Sequence, residues 1–191
     1  MNSILIAALH KIVAEDQLTL WHGGNLDSNK GVHKKGRWES GPGLYLTTHY
    51  DTALKYSKGS RKLYQVTIRQ GTDIRDVNIS LDSVREFIDD SVIKSKRPDI
   101  HERVNKHAKN GELGADIMNN IMINEEALRP ANTGAFRNFL VSNGVDYSIQ
   151  DNLFGWHERV VVIFNMNVIT DKKQITPKDK IEVFDLPTKF A

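Results

Sequence analysis

The period of the apolar residues changes twice along this chain, and that restricts its fold more than any other feature. From Leu18 to about Arg75 short runs alternate between apolar and polar positions. Leu18-Thr19-Leu20-Trp21 stops at Gly23-Gly24, Gly43-Leu44-Tyr45-Leu46-Thr47 follows Pro42, and Lys62 to Ile68 alternates as a half-buried strand. A short helical stretch separates the last two. Across residues 80–142 the spacing becomes three to four, the period of an amphipathic helix. Ser83 and Glu86 form a capping box at the head of the stripe Val84, Phe87, Ile88 and Val92. Pro98 suits a first helical turn. Leu113, Ile117, Ile121 and Met122 make another stripe, and Phe136, Phe139 and Leu140 precede the helix stop Asn143-Gly144. Strand patterns return at Val145–Ile149, Val160–Phe164 and Lys180–Asp185. With no linker or repeat between the blocks, one α+β domain over residues 1–191 is expected, with the helical block of about 80–142 inside it.

Composition narrows the chemistry. The chain is 39% hydrophobic, enough for a single sizeable core. It has no cysteine, which excludes disulfides, thiol nucleophiles, iron–sulfur clusters and cysteine-ligated zinc. No segment is apolar for long enough to cross a membrane. In the opening stretch Leu5, Leu9, Ile12 and Val13 share one helical face, and His10, Lys11, Glu15 and Asp16 stand among or just after them. That reads as an amphipathic helix of the mature protein rather than a signal peptide. A cytoplasmic monomer, in its own or a host cell, is the expectation. The net charge of +2 argues against dense coating of nucleic acid or wrapping by membrane. It is unevenly spread: residues 1–75 hold 11 basic against 6 acidic side chains, including Lys30, Lys34, Lys35 and Arg37. Such a run is either a solvated loop or a contact for phosphates.

The familiar catalytic patterns fail. Leu46 stands where a dinucleotide fingerprint beginning at Gly41-Pro42-Gly43 needs its third glycine, and no P-loop or GxSxG elbow occurs. His101-Glu102 and His157-Glu158 are followed by Asn105 and Val161 where a second zinc ligand would stand. No metal site is expected. Three features remain. His22 ends a strand just before Gly23-Gly24, where a ligand approaches the backbone closely or the histidine merely caps a turn. Tyr45 and Tyr56 are either core aromatics or a clamp for a planar ring. Glu158 leads the apolar strand at Val160, either facing solvent or pointing into a cleft where its charge acts strongly.

Together these residues resemble the His-Tyr-Glu signature of the ADP-ribosyltransferases, the clade of diphtheria toxin and the poly(ADP-ribose) polymerases. Leu20-Trp21-His22-Gly23-Gly24 is similar to the family's first motif, an apolar strand ending in His-Gly. Gly43-Leu44-Tyr45-Leu46-Thr47 resembles the second, and the family's second tyrosine falls eleven residues later, as Tyr56 does here. His157-Glu158-Arg159-Val160-Val161-Val162 resembles the last, a glutamate leading a hydrophobic strand. The resemblance covers about residues 18–68 and 144–165 and leaves the helical block outside.

It implies a fold with split, mostly antiparallel sheets around a cleft for NAD, used as co-substrate without a metal. It also implies roles. His22 would bond the adenosine-side ribose, the Gly23 backbone the nicotinamide carboxamide, and Tyr45 and Tyr56 would stack on the nicotinamide. Ala53 would lie beside the carboxamide, where many polymerase-type members have a serine and the toxin branch has small residues. Glu158 would bond the nicotinamide ribose 2′-hydroxyl, and Trp156 and His157 would border the acceptor route. The loop with Lys34, Lys35 and Arg37 would lie over the dinucleotide. Trp156 stands where the arginine-specific branch has the first glutamate of Glu-x-Glu, so an arginine acceptor is not expected. The activity implied is mono-ADP-ribosylation of a macromolecule, protein in preference to nucleic acid, with release of nicotinamide. Small free-standing members of this kind are often bacterial toxins, phage proteins or conflict effectors. The alternatives are an inactive transferase fold serving as a binding module, and an RNA 2′-phosphotransferase.

Overall fold

A computed structural model describes residues 17–26, 40–57, 62–151 and 158–176. The strands are β1 (Gln17–Gly23), β2 (Leu44–Thr47), β3 (Leu63–Arg69), β4 (Asn78–Ser80), β5 (Glu112–Gly114), β6 (Tyr147–Asp151), β7 (Arg159–Ile163) and β8 (Ile169–Ile175). The α-helices are α1 (Tyr50–Ser57), α2 (Leu81–Ser91), α3 (Arg97–His107), α4 (Ala115–Asn124) and α5 (Thr133–Ser142). The fold is α+β with antiparallel sheets. One sheet has the order β6-β7-β2-β1-β3-β8, and β4 pairs with β5 apart from it.

The larger sheet is nearly divided in two. β1 runs in register with β3 from Gln17–Arg69 to Gly23–Leu63, and β2 with β7 from Leu44–Ile163 to Thr47–Val160. Between β1 and β2 only Trp21 and Thr47 stand in register. Two three-stranded halves, β6-β7-β2 and β1-β3-β8, therefore meet at a single pair. Because side chains alternate along a strand, each half presents one apolar face. Leu20, Val66 and Ile68 from one half join Leu46, Val161 and Ile163 from the other in a shared, fully buried cluster.

The opposite face of β7 carries the helical block. Val84 and Phe87 of α2, Val104 of α3, Met118 of α4 and Phe136 of α5 pack with Val160, Val162 and Phe164. Phe87 touches Phe136 and Phe139, with ring centroids 5.4 and 4.6 Å apart. Burying each such side chain stabilises by about 1.5–3 kcal/mol. Buried Asp73 ties this block to the sheet: its carboxylate accepts from the Arg75 backbone and guanidinium and from Ile149 N of β6. Hydrogen bonding to Asp73, the largest influence, holds the Arg75 guanidinium above its ordinary pKa despite partial burial.

Several expectations need correction. The N-cap of α2 is Ser80, whose hydroxyl accepts from Ser83 N, so Ser83 lies inside the first turn and no capping box starts there. Leu113 belongs to β5 rather than to a helix, because Asn110 (φ +52°) and Gly111 (φ +78°) turn the chain and pair Lys109 with Glu112. β8 is a strand that alternation misses, since residues 170–174 are all exposed. The N-terminal helix and the Lys180–Asp185 strand lie outside the described residues. Among those described, no helix is long and apolar enough to cross a membrane.

Substituting the true cap tests the corrected boundary. Ser80→Ala is expected to lower stability by about 1 kcal/mol, and Ser83→Ala by less than about 0.5 kcal/mol. Urea unfolding of the two variants separates them.

Candidate functional site

The glycines at the end of β1 have physical causes. A Cβ on Gly23 would stand 1.7 Å from the Ala53 carbonyl oxygen and 2.8 Å from Ser57 N. Thus α1 lies directly on the strand, and only a residue without a side chain permits it. Buried Ala53 is the matching small residue on the helix, and Trp21 meets Tyr50 edge-to-face at 5.3 Å beside it. Gly24 has φ +141°, outside the range L-residues favour, and its N–H bonds the Lys62 carbonyl at 2.9 Å.

His22 alternates to the other side of β1, beside Tyr64, with ring centroids 6.4 Å apart. Its Nδ1 reaches across the division of the sheet to the Tyr45 carbonyl at 2.9 Å. A carbonyl only accepts, so Nδ1 carries the proton. The bond stands between β1 and β2, just where their ladder gives out.

Tyr45 points to the face that carries α1 and the helical block, and packs against the Val160–Phe164 cluster. Its hydroxyl donates to the Gly41 carbonyl at 2.8 Å and accepts from Ser40 N at 3.1 Å. Asn119 of α4 holds the same turn through the Ser40 carbonyl at 3.2 Å. Tyr56 is 59% exposed, one helical turn beyond Thr52 and so on the same flank of α1.

Glu158 is 3% exposed, immediately before β7. Thr47, at the end of β2, donates its hydroxyl to Oε1. Thr52, in the first turn of α1, donates to Oε2 at 3.2 Å. Two hydroxyls from different elements thus offset part of the cost of burying this carboxylate. Its neighbour Arg159 is engaged elsewhere, with Asp151 at 2.8 Å. Local sequence pattern does not single out Thr47 and Thr52; their one signal is the hydroxyl-rich run between the two tyrosines.

Direct contacts thus link the sites of His22 with Tyr45 and of Gly23 with Ala53, while Thr52, next to Ala53 on α1, connects to Glu158. Trp156, His157, Lys34, Lys35 and Arg37 lie outside the described residues. A separate cavity of about 310 Å³ is lined by Arg75, Asn78, His107, Lys109, Glu112 and Asp116, among others, and shares no residue with this group. Among the described residues no three His, Asp or Glu side chains gather as metal ligands.

No protein-family model matches the chain, and no curated protein matches it in sequence. One solved structure, described as the crystal structure of an anti-CRISPR protein, is similar at 14% identity and a TM-score of 0.38, over 83% of this chain and 96% of that one. A likeness that loose decides neither fold family nor role.

The close approach of α1 is directly testable. Gly23→Ala is expected to destabilise toward the upper end of about 1–3 kcal/mol, because the clash is with backbone. Gly134→Ala, where an added Cβ meets nothing within 4 Å, should be neutral or slightly stabilising. Thermal unfolding of both variants checks the contrast.

Proposed function

We propose that the chain is a mono-ADP-ribosyltransferase that cleaves NAD at the nicotinamide–ribose bond and passes ADP-ribose to a macromolecular acceptor, a protein in preference to nucleic acid. One observation supports the reading above the rest. Three stretches distant in sequence, around His22-Gly23, Tyr45–Tyr56 and Glu158, are joined by contacts at one strand–helix junction. Each stretch is the one that resembles a motif of that family.

The residues suit the reaction physically. Breaking the glycosidic bond builds positive charge on the ribose, and a fixed carboxylate stabilises that charge as it develops. A carboxylate offers about four acceptor positions. With one on each oxygen of Glu158 taken by a threonine, further positions are left to accept from a ribose hydroxyl. The exposed ring of Tyr56 and the half-buried ring of Tyr45 would take opposite sides of the planar nicotinamide. On the same reading the Gly23 backbone would meet the nicotinamide carboxamide at the edge of α1, and His22 would serve the adenosine-side ribose. Nicotinamide departs as a neutral molecule, so its departure calls for no metal to offset charge.

The low exposure of Glu158 favours one competing reading, a binding module in which the carboxylate only supports α1. Nicotinamide release from NAD decides between them. Wild-type protein is expected to turn over, and Glu158→Gln to be slower by about 10²–10³ while melting within a few degrees of wild type. No release by either protein, with cell lysate supplying acceptors, would leave the binding module. Labelled NAD followed by separate protease and nuclease digestion identifies the acceptor class.

A further inference from the structure

We infer that Thr47 and Thr52 are positioning residues that set the plane of the Glu158 carboxylate for catalysis. The inference deepens the proposed NAD cleavage and rests on that reading. The two hydroxyls come from different elements, the end of β2 and the first turn of α1, and each takes a different carboxylate oxygen. A carboxylate gripped at one oxygen still rotates about its last side-chain bond; gripped at both, it does not. The Thr47 hydroxyl is itself oriented. Its oxygen accepts from His49 N at 3.0 Å, so its one hydrogen is turned toward Glu158.

The neighbouring backbone anchors this arrangement. Thr48 N donates to the Arg159 carbonyl, and the Thr48 hydroxyl accepts from Arg159 N, both at 3.0 Å. The residues following Thr47 and Glu158 are therefore locked together. A fixed carboxylate is already aligned when charge appears on the ribose, whereas a rotating one must first be ordered, and that difference slows the chemical step rather than NAD binding.

The test uses the full chain and nicotinamide release at saturating and limiting NAD. Thr52→Val is expected to lower kcat by about ten- to a hundredfold, the range for losing a hydrogen bond to a charged group. The KM for NAD should change by less than about twofold if ground-state binding is untouched. Thr52→Ser restores the hydroxyl and should recover most of the rate. In a Glu158→Gln background, Thr52→Val should slow the reaction no further, since residues acting as a unit are not additive. Thr47→Val also frees His49 N and is expected to lower the melting temperature; Thr47→Ser keeps both bonds and should retain kcat.

Wild-type kcat in both valine variants overturns the inference and leaves the proposed function standing. So does a loss that serine fails to rescue, or one equally large in the Glu158→Gln background. Absence of nicotinamide release by the wild type overturns the functional reading and this inference with it.

Discussion

A carboxylate withdrawn from water needs hydrogen-bond donors inside the protein, and Glu158 is withdrawn almost completely. Its donors arise where two elements end or begin, at the last residue of β2 and the third of α1. For Thr52 to arrive there, α1 has to lie on the face of β1 that carries Trp21. That close approach in turn admits no side chain at position 23. One electrostatic requirement therefore runs from the start of β7, through the first turn of α1, to the glycine that ends β1. His22 adds a second tie across the same junction by bonding the Tyr45 carbonyl where β1 and β2 have ceased to pair.

Much of this was legible from local pattern. The alternation in β1, β2 and β3 and the stripes of α2 and α5 are records of which side of each element is buried, and Val84, Ile88, Phe136 and Leu140 are fully buried as their spacing requires. Pro98 lies in the first turn of α3, as a residue without an N–H suits. Where burial leaves no such record, the pattern is silent. β8 pairs with β3 through its main chain while five successive side chains face solvent, so no alternation was there to read. Leu113 shares a four-residue spacing with Ile117, but the left-handed turn at Asn110-Gly111 puts it on a strand. The threonine clamp was hidden for a different reason. Its bonds span 106 and 111 residues, and nothing local distinguishes a hydroxyl destined for a carboxylate from one facing water.

The division of the sheet bears on how the site is built. A continuous antiparallel sheet satisfies its own polar backbone and leaves little for a ligand to bond. Where β1 and β2 part, their facing main-chain groups need other partners, and one of these is a side chain, His22. The residues around the division also belong to the region with the most basic excess, 11 cationic against 6 anionic side chains over residues 1–75. On the proposed reading that excess favours the approach of a dinucleotide pyrophosphate, a long-range effect that salt would screen.

The two tyrosines, alike in spacing and in family resemblance, do different physical work. Tyr45 has its hydroxyl tied to the Ser40–Gly41 turn and its half-buried ring packed against the edge of the core shared with the helical block. Tyr56 projects from α1 with most of its surface exposed. A planar ring bound between them would meet one wall fixed by the sheet and the helical block and another carried by α1. The same helix supplies Thr52 to Glu158, so a ligand that pressed on Tyr56 would load the element that holds the carboxylate. On the proposed reading, ring binding and carboxylate alignment would be coupled through this one eight-residue helix, which carries both Tyr56 and Thr52.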